Sequence, residues 1–152
     1  MSRSKSAKDR CLVDTNIWLY AFIETEDSEK TKVANSVIRG NDLILTSQII
    51  NETCVNLLKK AAFKEKQIQS LISSFYQKYT VLEIDKQLLL EASKLRESYS
   101  FSFWDSVVVS SAICSHCRIL YSEDMQDGLK IGKQVTIINP FKEDILKKSV
   151  KR

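Results

Sequence analysis

The sequence predicts a single α/β domain in which a central, mainly parallel sheet is covered by helices on both faces. Short β-rich segments alternate along the chain with longer segments in which apolar residues recur at helical spacing. Only three Gly and one Pro occur in 152 residues, which leaves little room for hairpins or linkers. Strands that alternate with helices typically form a parallel sheet with helices packed on its faces, so we expect an open α/β fold.

The individual elements follow from local composition. The predicted strands are the β-rich runs CLVD (11–14), DLILT (42–46), YTVLEI (79–84), RILYS (118–122) and QVTII (134–138). The predicted helices occupy the intervals 16–24, 28–39, 47–60, 64–78, 86–97 and 103–116. Segment 86–97 shows the helical pattern clearly, because its apolar residues form one stripe: Leu88, Leu89, Ala92 and Leu95.

Both ends of the chain are predicted to lie outside the domain. Residues 1–9 are expected to form a disordered basic tail, since they lack the apolar stretch of a secretory signal, and residues 143–152 a polar tail. The longest apolar stretch, around residues 107–114, is interrupted by two serines and is too short to span a bilayer. We therefore expect a protein with no membrane segment.

The four cysteines and the net charge indicate the environment and the partners that the protein could have. Residues Cys11, Cys54, Cys114 and Cys117 lack the dense spacing of a secreted disulfide scaffold, which favours reduced thiols in a cytoplasmic protein. The Cys114-Ser-His-Cys117 segment offers three crowded ligands and no second pair, so it does not indicate a zinc site. The net charge of +4 is compatible with a polyanionic partner without establishing one.

Four acidic residues stand where predicted strands are followed by helices. Asp14 ends the first strand, Glu52 lies one turn into the helix after the second, Asp105 begins helix 103–116, and Asp124 follows the fourth strand. The carboxyl ends of parallel strands meet at one edge of a sheet, so these carboxylates can converge. A carboxylate cluster without histidine suits Mg²⁺ or Mn²⁺, which prefer oxygen ligands and can activate water for attack on a phosphoryl group.

Each acid also has an ordinary structural explanation. Asp105 completes Ser102-x-x-Asp105, a helix capping box, while Asp14 can begin a turn. Glu52 can be a solvated helix residue, although its apolar neighbours Ile49 and Ile50 argue against simple exposure. Taken singly, each structural explanation is the better one. Taken together at matching junctions, the four acids favour a shared site, and the residues alone leave both interpretations open.

Five segments of the chain, in their order and spacing, resemble the PIN-domain ribonucleases, in particular the stand-alone toxins of VapC type. They are LVDTNIWLYAF, TSQIINET, FSFWDSVVVSSA, LYSEDMQDG and IINPF. The resemblance covers residues 10–142 and implies a PIN-like three-layer α/β/α sandwich. It also implies a Mg²⁺- or Mn²⁺-dependent endoribonuclease that cleaves RNA as the toxin of a toxin–antitoxin pair.

Carried over by position, the resemblance assigns a role to each acid. Asp14 and Asp105 correspond to the principal metal ligands, and Glu52 and Asp124 complete the site directly or through water. Glu123 and Asp127 stand beside Asp124 and leave the identity of the fourth acid open. The polar residues expected to brace the acids are Thr15, Asn16 and Ser122.

The resemblance further implies an antitoxin partner, whose Arg or Lys can neutralise the acidic site, and a homodimer. The apolar residues considered for contact are Leu57, Leu58, Ala61 and Phe63, for which core packing is an equal explanation. Five aromatic residues near helix starts, which core packing explains better than base stacking, are Trp18, Tyr20, Phe22, Phe103 and Trp104. The alternative function is a catalytically inactive PIN-like RNA-binding or assembly module, whose acids are only caps and surface charge.

Overall fold

The computed structural model describes residues 9–23 and 28–142. The predicted N-terminal tail, apart from Asp9, and the predicted C-terminal tail lie outside these residues. The helices are α1 (Thr15–Phe22), α2 (Ser28–Gly40), α3 (Ser47–Lys60), α4 (Glu65–Lys78), α5 (Lys86–Ser98) and α6 (Phe103–Cys114). The strands are β1 (Arg10–Val13), β2 (Asp42–Thr46), β3 (Thr80–Leu82), β4 (Ile119–Tyr121), β5 (Lys130–Ile131) and β6 (Val135–Ile138).

The strands form one sheet in the order β3-β2-β1-β4-β6-β5. All neighbouring pairs are parallel except β5 and β6, which are antiparallel. Leu12 in β1 is in register with Ile44 of β2 on one side and Leu120 of β4 on the other. This architecture confirms the predicted α/β fold with a central, mainly parallel sheet.

Two details of the sheet differ from the sequence prediction. Strand β5 was not predicted, because two residues are too few to show a periodic pattern. It reaches β6 through a turn at Gly132, whose φ of 57° favours glycine. Strand β3 is shorter than the predicted 79–84, and it pairs only with β2 as an edge strand.

The order of the strands creates a crevice between β1 and β4. From β1 the chain adds β2 and β3 on one side, and then returns to add β4 on the other side of β1. Ligands of open α/β sheets bind at such a reversal, outside the carboxyl ends of the strands. The residues that follow Val13 and Tyr121 are therefore placed at the expected binding edge.

The core explains why the central strands read as unbroken apolar runs. Leu12, Val13 and Leu120 have no exposed surface, because helices cover both faces of the sheet. Trp18 of α1, 2% exposed, packs its ring edge-on against Phe75 of α4 with centroids 5.2 Å apart. Of the helices in the described ranges, none is long and apolar enough to cross a membrane.

The cysteines are all free thiols, and three of them are buried. Burial, with the nearby Cys117, raises the pKa of Cys11 to about 12, so this thiol stays protonated at neutral pH. Cys117 packs into the core, whereas His116 follows α6 in a left-handed turn with a φ of 60°.

Candidate functional site

Asp14 lies between the end of β1 and the start of α1. It is the N-cap of α1, and its Oδ1 accepts a 2.8 Å hydrogen bond from the Thr15 backbone N–H. Its Oδ2 accepts a 3.1 Å hydrogen bond from the hydroxyl of Ser122, which directly follows β4. The Asp14 backbone N–H donates to the Tyr121 carbonyl at 3.0 Å, so both neighbouring strands hold this carboxylate in place.

The carboxyl group of Asp14 is held in an unfavourable electrostatic environment. Its pKa is raised from 3.8 to about 6, mainly by burial and also by the negative charges of Glu52 and Asp105. Hydrogen bonds from Thr15 and Ser122 offset part of this effect. The structure therefore brings Glu52 and Asp105 within electrostatic reach of Asp14.

Glu52 is positioned by a side chain of α1. The Thr15 hydroxyl, which is buried, donates a 2.9 Å hydrogen bond to Glu52 Oε1. Helix α3 is fixed at its start by the Thr46 hydroxyl, which accepts from the Ile49 N–H at 3.0 Å. Glu52 then follows one turn later on a partly exposed face of α3, beside the end of β1.

Asp124 is exposed and is joined to α1 by Asn16. The Asn16 side-chain amide donates a 2.8 Å hydrogen bond to Asp124 Oδ2. Asp124 and Asp105 also line the same open cavity of about 410 Å³, together with Tyr99 and Phe101. Asp105 thus faces Asp124 in this cavity and influences Asp14 electrostatically, which links the four acids.

The capping box predicted at Asp105 is only half formed. The Ser102 hydroxyl accepts a 3.0 Å hydrogen bond from the Asp105 N–H and caps α6. Within the described ranges the Asp105 carboxylate makes no reciprocal bond to the Ser102 N–H. The backbone of Asp105 therefore serves the helix cap, while its carboxylate stays available to the cavity.

Two neighbouring acids that could have replaced Asp124 are engaged elsewhere. Glu123 forms a 2.6 Å ion pair with Lys30 of α2 and accepts a 2.9 Å hydrogen bond from the Tyr20 hydroxyl. This pairing holds the pKa of Lys30 well above its usual range. Lys30 and Tyr20 were missed by the sequence analysis, because their contacts with Glu123 join residues 93 and 103 positions apart.

The second neighbour, Asp127, serves the backbone. Its Oδ1 accepts a 2.8 Å hydrogen bond from the N–H of Asn139, which follows β6. The Asn139 amide also donates to the Glu123 carbonyl at 3.2 Å. Both contacts shape the loop after β4, so of the three acids in that loop Asp124 is the one that faces Asn16 and Asp105.

The donors available at this edge are all oxygen atoms, as a hard divalent cation requires. None of the four carboxylates forms an ion pair with Lys or Arg within residues 9–23 and 28–142. In the same residues, no group of three or more His, Cys, Asp or Glu side chains is arranged so that it could hold a metal ion. Mg²⁺ does not need such a closed group, because proteins commonly hold it by one or two carboxylates, with water and substrate phosphate as the other ligands.

Several solved structures share the fold of this chain. A chain of a toxin–antitoxin complex from Klebsiella pneumoniae is 17% identical with a TM-score of 0.66, over 86% of this chain and 97% of that chain. Mycobacterium tuberculosis VapC20, described as a sarcin–ricin loop cleaving toxin, is 13% identical with a TM-score of 0.61, over 75% and 89%. VapBC2 from Rickettsia felis, bound to a promoter DNA fragment, is 18% identical with a TM-score of 0.59, over 86% and 99%. At these identities the likeness shows the fold alone.

Comparison at the level of sequence gives the family. No curated protein sequence matches the chain significantly. The sequence profile of the PIN domain, however, matches residues 11–127, which is well over half of the chain and includes all four acids. The resemblance inferred from the five sequence segments is thereby confirmed, and the chain belongs to the PIN-domain family.

Proposed function

We propose that this protein is a divalent-metal-dependent endoribonuclease and the toxin of a toxin–antitoxin pair. The observation that carries the proposal is the environment of Asp14. Its carboxylate stands at the reversal of strand order, is braced by Thr15 and Ser122, and has its pKa raised by burial and by Glu52 and Asp105. A site that concentrates unneutralised negative charge at a binding edge is suited to a cation.

In this proposal Asp14 and Asp105 hold Mg²⁺ or Mn²⁺, and Glu52 and Asp124 contribute directly or through water. When bound there, such an ion would supply an activated water and would stabilise the charge that develops on the phosphoryl oxygens. The protein orients the donors in advance. Thr15 fixes one oxygen of Glu52, as described above, and the other oxygen remains free to accept a proton from water.

Two further polar residues, one in α1 and one directly after β4, restrict the orientation of the other carboxylates. Ser122 donates to Asp14 Oδ2 and so sets the direction of the lone pairs that remain. Asn16 donates to Asp124 Oδ2 and so fixes this carboxylate in the lining of the cavity. Removing such a hydrogen-bonding partner commonly lowers metal affinity or activity by about tenfold to a hundredfold.

The toxin role and the partners extend the proposal. PIN-domain membership and structural neighbours that occur in toxin–antitoxin complexes support an antitoxin partner. An antitoxin Arg or Lys inserted among the four carboxylates would compete with the metal ion. We also propose a homodimer. Among the residues considered for contact, Leu57 belongs to the core and Leu58 is 37% exposed, which leaves only Leu58 clearly available.

The test of activity uses purified protein and a labelled RNA of mixed sequence. Wild type should cleave the RNA with Mn²⁺ or Mg²⁺, stop with EDTA, and recover when the divalent ion is restored. Asp14→Asn and Asp105→Asn should abolish cleavage while remaining folded. Asp42→Asn is the matched control, because Asp42 is an exposed acid at the start of β2. It therefore lies at the amino ends of the strands, away from the carboxyl ends that carry the site.

The inactive RNA-binding or assembly module remains the rival function. The absence of a closed three-carboxylate group among the described residues is the observation in its favour. It predicts that RNA stays intact at every concentration of divalent ion. Cleavage that survives in folded Asp14→Asn would instead place the catalytic centre elsewhere and contradict the proposal.

A further inference from the structure

Phe103 is the most exposed of the large hydrophobic side chains in the described residues, with 64% of its surface accessible. It is the first residue of α6 and lies two positions before Asp105. The other aromatic residues singled out from the sequence are buried or pack against the core: Trp18, Tyr20, Phe22 and Trp104. Core packing, which the sequence favoured for all five, therefore does not explain Phe103.

One face of the Phe103 ring is covered by Arg96 of α5. The guanidinium carbon lies 4.1 Å from the ring centroid, a close cation–π contact. Arg96 Nη1 donates a 2.6 Å hydrogen bond to the hydroxyl of Ser106, which is fully buried. The Ser106 hydroxyl in turn donates to the Phe103 carbonyl at 2.6 Å. This closed set of contacts holds the guanidinium plane against the ring.

The environment of the pair favours a ligand with both a planar ring and negative charge. Arg96 forms no ion pair with a carboxylate within residues 9–23 and 28–142. Its guanidinium uses one donor on Ser106 and has further N–H groups for a phosphate. Ser100 and Ser102, which precede the ring in sequence, are exposed and polar, so the chain just before Phe103 presents polar groups beside the ring.

We propose that Phe103 and Arg96 form a stacking platform for one unpaired base of the RNA substrate, at the start of the helix that also carries Asp105. The inference rests on the proposed function, since it names a subsite of the same nuclease. Bases stack on exposed aromatic rings in single-stranded RNA, where they are not already stacked in a duplex. Because the ring is held in place before binding, little conformational entropy is lost when a base stacks on it.

Binding without cleavage isolates the platform from the chemistry. The full-length protein is titrated in EDTA against a fluorescein-labelled single-stranded RNA of mixed sequence, and anisotropy gives Kd. Phe103→Ala should raise Kd about five- to a hundredfold, the range for loss of one base–aromatic stack. Tyr76→Ala is the control, because Tyr76 is a 49% exposed aromatic residue on α4, and its Kd should equal that of wild type.

Conservative variants separate stacking from apolar contact. Phe103→Trp should bind at least as tightly as wild type, and RNA should quench the introduced tryptophan. Phe103→Leu keeps an apolar side chain without a π face, so it should bind as weakly as Phe103→Ala. Arg96→Gln should make the negative slope of log binding constant against log salt concentration shallower by about 0.7. This is the change expected when one phosphate contact on a single strand is lost.

Specific results would overturn the platform. Equal Kd values for wild type and Phe103→Ala, or full binding by Phe103→Leu, would do so. Sedimentation showing that Phe103→Ala dissociates a dimer would assign the ring to an interface between copies, and would overturn it as well. If wild type cleaves RNA and Phe103→Ala binds RNA as tightly as wild type, the stacking platform is contradicted and the proposed nuclease activity stands. If RNA binding depends on Phe103 but no divalent ion supports cleavage, the stacking platform is supported and the proposed nuclease activity is contradicted.

Discussion

The hydroxyl of Thr15 donates a 2.9 Å hydrogen bond to Oε1 of Glu52 and joins the first turn of α1 to α3. Thr15 is also the residue whose backbone N–H bonds to Asp14. One buried threonine therefore positions two acids that enter the site from different elements.

Replacing Thr15 tests this double role. Thr15→Val keeps the shape and the backbone N–H but removes the bond to Glu52, so we expect Mn²⁺ affinity to fall about tenfold to a hundredfold. Thr15→Ser keeps a hydroxyl and should stay close to wild type. Isothermal titration with Mn²⁺ measures both variants. Equal affinity in wild type and Thr15→Val would show that Glu52 needs no support from α1.

The raised pKa of Asp14 predicts a pH dependence for the metal-free protein. Between pH 3.8 and about 6 the unfolded chain ionises Asp14 while the folded chain keeps it protonated. The stability that protonated Asp14 contributes is thus complete below pH 3.8 and is lost as pH rises through 6. The total loss of unfolding free energy is at most about 3 kcal/mol.

Urea unfolding in EDTA from pH 4 to pH 7 measures this loss. Asp14→Asn cannot ionise, so its free energy of unfolding should rise relative to wild type across the interval. Asp42→Asn, the control acid at the other edge of the sheet, should keep a constant difference from wild type. A constant difference for Asp14→Asn too would mean that Asp14 is not destabilised in the folded protein.

Asp105→Asn tests the shared charge of the site through stability. Repulsion among converging carboxylates strains the metal-free fold, so this variant should be no less stable than wild type in EDTA. With Mn²⁺ at 100 times its dissociation constant, wild type should gain about 2.7 kcal/mol and the variant clearly less. If only the Ser102 cap mattered, asparagine would lower the stability a little and Mn²⁺ would change neither protein.

The loop after β4 provides a test of which acid completes the site. Asp124→Asn should lower cleavage at least about tenfold, because Asp124 lines the cavity beside Asp105. Glu123→Gln should instead lower stability, since it weakens a 2.6 Å ion pair to Lys30 whose two side chains are only partly exposed. Cleavage assays and thermal melts on both variants check the division. Loss of cleavage in Glu123→Gln alone would reverse the assignment.

The fold and the positions of the acids could largely be predicted from the sequence, because burial patterns are periodic and local. The runs in β1 and β2 show burial on both faces, and the carboxyl ends of β1 and β4 place Asp14 and Asp124 at one edge of the sheet. The predicted strand-to-helix junctions at Asp105 and Asp124 were wrong, because α6 follows α5 and β4 leads through a loop to β5. The half-formed cap at Asp105 could not be predicted, since the motif is the same whether or not the carboxylate bonds back.

Partners far apart in sequence could not be predicted either. The choice between Glu123 and Asp124 depends on Lys30, which approaches from α2 and leaves no local pattern. The contact between Phe103 and Arg96 likewise depends on how α5 packs against α6. Such contacts are set by tertiary packing, which single-residue patterns do not encode.

We propose above all that Asp14 holds a divalent cation among Glu52, Asp105 and Asp124. An anomalous difference map from crystals soaked in Mn²⁺ tests it most directly. We predict a peak coordinated by the Asp14 carboxylate at the carboxyl ends of β1 and β4, with the other acids bound to it directly or through water. A map without a peak there, at Mn²⁺ concentrations that support cleavage of RNA, would contradict the account.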